Sequence, residues 1–118
     1  MEDWELDFEW LKVRHFVKDT LRSHVLPDLN TVLFLIGIQE LGQLRDNYTK
    51  EEKQDLMHIA VCRLMSQDGI YEFEGLDDDG WPHWKQVKTI EKKGEKEQEG
   101  YLKTLSVKYF SSIIKSED

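Results

Sequence analysis

The chain has 118 residues, a formal net charge of −8 and a single cysteine. Such an acidic balance works against nonspecific nucleic-acid binding, which depends on Lys and Arg displacing counterions from phosphates, and it is equally unfavourable at an anionic membrane surface. One cysteine excludes an internal disulfide and suits a reducing compartment, the length fits one domain over residues 1–118, and no apolar run reaches membrane-spanning length.

The N-terminal stretch MEDWELDFEW is acidic where a secretion signal would be basic, so a cytoplasmic protein is expected. A first helix is predicted from Asp3 or Trp4 to about Ser23. Glu2, Asp3, Glu5, Asp7 and Glu9 lie at its start and Lys12, Arg14, Lys18 and Arg22 further on, the order that complements the helix dipole. At about 100° per residue, Leu6, Trp10, Val13, Val17 and Leu21 share one stripe, and Trp4, Phe8 and Leu11 share a second, nearly opposite one that ends at His15. The first stripe is a complete core-facing seam. The second is a surplus, covered either by other parts of the chain or by a partner.

PDLNTVLFLIGIQELG predicts a central buried helix over residues 27–42. From Val32 to Ile38 every residue is apolar apart from Gly37, and a helix apolar all round needs neighbours on every side. Pro27, Asp28 and Asn30 mark its start and Gly42 a left-handed stop. Glu40 stands in its last turn, where the dipole disfavours an anion. It requires water or a cation, and Arg14, Arg45 and Arg63 are the candidates.

A polar connection, QLRDNY, leads to a Thr49-x-x-Glu52 capping box that opens a third helix ending at Asp68-Gly69. Leu56, Met57, Ala60, Val61, Leu64 and Met65 form its core stripe, the methionines read as filler. Tyr71 and Phe73 alternate with Glu72 and Glu74 as in a short edge strand. Asp77, Asp78, Asp79 and Gly80 read as a turn; counting from Asp77, an EF-hand would need Gly at Pro82 and Glu at Lys88. Gly80-Trp81-Pro82 predicts entry to another short helix carrying Trp84, Val87 and Ile90 at three-residue spacing. After the charged connection KKGEKEQEG, a last helix is predicted from Lys96 to Lys115. Leu102, Leu105, Tyr109 and Ile113 form the centre of its wide apolar arc, Val107, Phe110 and Ile114 extend it, and Thr104, Lys108, Ser111 and Ser112 are left on the polar side.

The predicted fold is therefore an all-α bundle of four to five helices around the central helix 27–42, with room for a minor β element near residues 70–73. Signatures of chemistry are sparse. Asp55, His58 and Cys62 fall on one flank of the third helix, but Asp-x-x-His is only half of the paired motif that di-metal carboxylate bundles use. No metal and no cofactor are expected. Cys62 lies well inside its helix, away from the N-terminal dipole that activates catalytic thiols. Gly-rich phosphate loops, nucleophile elbows and zinc-type cysteine pairs are all absent. The expectation is a non-catalytic binding or regulatory protein that meets a protein partner or a second copy through Trp4, Phe8, Leu11, Trp81 and Trp84. The competing reading is a small-molecule or metal-binding bundle, open to catalysis, built on Glu40, Asp55 and His58.

Overall fold

A computed structural model describes residues 3–43, 45–91 and 94–115 of the chain. Glu2, Leu44, Lys92 and Lys93, which fall in the predicted first helix and in two predicted connections, lie outside the described residues. The described part is mostly helical with one two-stranded sheet: α1 (Asp3–Leu21), α2 (Leu29–Leu41), α3 (Lys50–Ser66), β1 (Tyr71–Leu76), β2 (Pro82–Gln86) and α4 (Glu95–Lys115). None of the described helices is long and apolar enough to cross a membrane. The chain divides into two compact units, one made of residues 1–32 and 92–118, the other of residues 33–91.

The first unit is built on α1 and α4, which pack together. Trp10, Val13 and Val17 of α1 are buried, as are Leu105, Ser106, Val107 and Phe110 of α4. The predicted seam of α1 thus holds in its middle, while Leu21 at its end is exposed. Phe16 tilts against Phe110 at 5.7 Å between ring centroids, and the Lys103 ammonium lies 5.9 Å from the Trp10 ring. Ser106 is fully buried and resolves its polarity locally, its hydroxyl donating to the Leu102 carbonyl at 2.8 Å. The four residues assigned to the polar side of α4 are all exposed. α1 stops at Leu21 because Arg22 turns left-handed (φ 54°) and Ser23 N–H reaches back to the Lys18 carbonyl at 3.0 Å, a Schellman closure without the usual glycine.

α2 begins one residue after Asp28, whose Oδ1 accepts from both the backbone N–H and the hydroxyl of Thr31 at 2.9 Å. These bonds hold the Asp28 carboxyl below its ordinary pKa. It ends at Gly42, left-handed at φ 72°, as predicted. Within the second unit, Gly37 accounts for the one interruption of the apolar run: a Cβ there would overlap the Leu56 carbonyl oxygen and lie 2.7 Å from its carbon. Only glycine lets α2 pass so near the α3 backbone. α3 opens on the predicted capping box, with Glu52 N–H donating to Thr49 Oγ1 at 3.1 Å and Thr49 N–H donating to Glu52 Oε1 at 2.9 Å.

Between α3 and α4 the structure corrects the sequence reading. The stretch from Pro82 is a strand, not a short helix; it pairs antiparallel with β1, Tyr71 opposite Gln86, Glu72 opposite Lys85, Phe73 opposite Trp84 and Leu76 opposite Pro82. Pro82 stands at the first residue of β2, a position where the missing N–H does no harm to a sheet. Opposite charges at Glu72 and Lys85 and the mutually tilted rings of Phe73 and Trp84, 5.3 Å apart, are favourable cross-strand pairs. A bulge between Phe73 and Gly75 shifts the register, and Gly75 supplies the positive φ of 118° found there.

Candidate functional site

The turn joining the strands is organised by one carboxylate. Asp77 Oδ1 accepts from the backbone N–H groups of Asp79 (2.9 Å) and Trp81 (3.0 Å), and Oδ2 lies 2.9 Å from His83 Nε2. The His83 bond first, then the backbone bond from Trp81, holds the Asp77 carboxyl below its ordinary value. The acidic run is therefore a capped turn, in agreement with its sequence reading, and it delivers Trp81, His83 and Trp84 to one wall of a hollow of about 280 Å³. The other wall is a stripe of α3, Asp55, His58, Ile59 and Cys62, brought to one face by helical spacing.

The chemistry of this hollow is restrained. His58 Nε2 lies 3.5 Å from Cys62 Sγ, the i,i+4 approach expected from the sequence. Burial pushes the Cys62 thiol up to about 11, so it stays protonated and is no nucleophile near neutral pH. No group of three or more His, Cys, Asp or Glu side chains among the described residues is placed to hold a metal ion. Asp55 makes no hydrogen bond or ion pair among the described residues and stands exposed at the rim.

Glu40 does not join Asp55 and His58. It lines a different hollow of about 290 Å³ with Arg63, Phe73, Leu76, Pro82 and Trp84. Of its three candidate cations the structure selects Arg63, whose Nε lies 3.4 Å from Glu40 Oε1. Arg45 pairs instead with Glu52 and faces the rings of Tyr48 and Trp81, and Arg14 donates to the Pro27 carbonyl at 2.8 Å. Pro82 and Trp84 are shared by both hollows. The Trp84 indole N–H is buried with no acceptor among the described residues.

Of the residues singled out for partner contact, Trp4, Phe8 and Leu11 lie on one face of α1 and are 70%, 59% and 40% exposed. Trp81 and Trp84 are only half-exposed and belong to the walls of the hollow. The large exposed apolar residues of the hairpin are Phe73 and Leu76, at 54% and 63%, and neither stood out in the sequence. The alternation of Phe73 with two glutamates was visible; that its face would stay open was not. The chain matches no protein-family model, no curated protein and no solved structure.

Proposed function

We propose that the protein is a small, cytoplasmic, non-catalytic binding protein that associates through the outer face of α1, with a second copy of itself as the partner. The supporting observation is the i, i+4, i+7 row Trp4, Phe8 and Leu11, exposed on a helix whose opposite stripe is buried at Trp10, Val13 and Val17. Tryptophan and phenylalanine carry large apolar area and are enriched in the centres of interfaces. The charges beside the row suit an isologous pair. Asp3, Glu5 and Asp7 lie at one end and Lys12 and Lys18 further along, so two copies crossing antiparallel bring each acidic end toward the basic part of the other.

Light scattering over the micromolar range is the direct test. A dimer is expected, dissociated by Trp4→Ala or Phe8→Ala with helix content unchanged by circular dichroism; truncating such an anchor typically costs about 2 kcal/mol or more of association. A strict monomer, or a dimer indifferent to both changes, would overturn this reading.

A further inference from the structure

We propose that the hollow between α3 and the hairpin is a binding site for a small organic ammonium group. Charge selects the class. Two carboxylates and no Lys or Arg line the hollow, and its two histidines, His58 and His83, lie against Cys62 and Asp77, so the balance of charge favours a cation. The two carboxylates differ: Asp77 is committed to two backbone N–H groups and to His83, whereas Asp55 has no partner among the described residues. One uncompensated negative charge therefore remains at the rim. A bare metal ion is a poor fit, because three ligating side chains do not converge.

The walls favour a cation with an organic body. Trp81 and Trp84 both line the hollow, and the face of an indole attracts cations, best when they are partly desolvated. Trp81 already shows this property, since the Arg45 guanidinium lies 5.7 Å from its ring. The size, about 280 Å³, lies at the lower edge of the ~300–1,000 Å³ usual for ligand sites and suits a head group rather than a nucleotide.

Choline serves as the probe and its neutral carbon isostere, with carbon in place of the ammonium nitrogen, as the control. Titrations are followed by the indole N–H resonances of Trp81 and Trp84. Choline should shift both saturably and bind about tenfold or more tighter than the isostere, the size of a desolvated cation–π or charge contact. Asp55→Asn should weaken choline by about tenfold while leaving the hairpin resonances in place, which separates lost charge from lost fold. A trimethyl-lysine peptide that binds tighter than choline would put the ammonium on a protein; tighter choline would make it a free molecule. No saturable shift at millimolar choline, equal binding of the isostere, or an Asp55→Asn variant indistinguishable from the parent would overturn the proposal. None of these outcomes depends on the α1 face, so the two readings stand or fall separately.

Discussion

The α1–α4 pair and the α3–hairpin region use their aromatic residues in opposite ways. In the helix pair, periodicity sorts them: Trp10, Phe16 and Phe110 go into or against the core, and Trp4 and Phe8, a few residues away on another face, stay exposed. In the hairpin, Trp81 and Trp84 are held half-covered beside His83 and beside Asp55 and His58, from which the rest of α3, β1 and a turn separate them in sequence. A helix distributes side chains around itself and leaves any surplus on its surface. A hairpin laid on a helix gathers side chains from both into a concavity, which is where polar and aromatic groups can act together.

The largest expected effect tests whether the two cores are built alike. Phe110→Ala in the first unit should cost about 3–5 kcal/mol and Ile36→Ala in the second about 2–5 kcal/mol, the range for deleting a fully buried side chain and leaving a cavity. Denaturant midpoints measure both. A midpoint unmoved by one of them would show that the unit in question does not rest on that residue.

A smaller change probes the second unit by addition rather than deletion. Gly37→Ala should destabilise by about 1–3 kcal/mol, because the new methyl meets the Leu56 backbone, which cannot step aside as a flexible side chain could. Ordinarily alanine is the better helix former by about 1 kcal/mol. A neutral or stabilising outcome would mean that α2 does not pass α3 closely at this point.

The smallest effect is local and concerns the turn that shapes the hollow. Asp77 has its pKa depressed on folding, so its contribution is complete above the ordinary value of 3.8 and is lost as pH falls through the lower folded value. The amide resonances of Asp79 and Trp81 should therefore report loosening of the turn below about pH 4 while helical signals persist. Asp77→Asn should remove that pH dependence. Glu52 and Asp28 are depressed in the same direction by their caps, which is why a local probe is needed rather than a global melt.

The chain's helices were written in its sequence because each is specified by neighbours a few residues apart. Thr49 and Glu52 cap each other across three residues, Asp28 caps Thr31 across the same interval, and the apolar arc of α4 repeats at the helical period. That Trp4 and Phe8 form a second stripe follows from the same rule, but that they stay exposed does not, because periodicity left open their being covered by other parts of the chain. The first strand was legible in the alternation of Tyr71 and Phe73 with glutamates, but β2 escaped because Trp84, Val87 and Ile90 stand at helical spacing after a proline, and His83, Lys85 and Gln86 give β2 no apolar alternation. What decides for the strand is non-local: Lys85 opposite Glu72, Trp84 against Phe73 and Val87 N–H donating to the Ile70 carbonyl at 2.8 Å. The candidate site shares that origin. Asp55 and His58 could be placed on one helix flank from spacing alone, but their facing partners on the hairpin, and the assignment of Glu40 to Arg63 in a separate hollow, depend on contacts between distant parts of the chain. Local hydrogen bonding and periodicity determine elements; only tertiary packing determines which of their side chains meet.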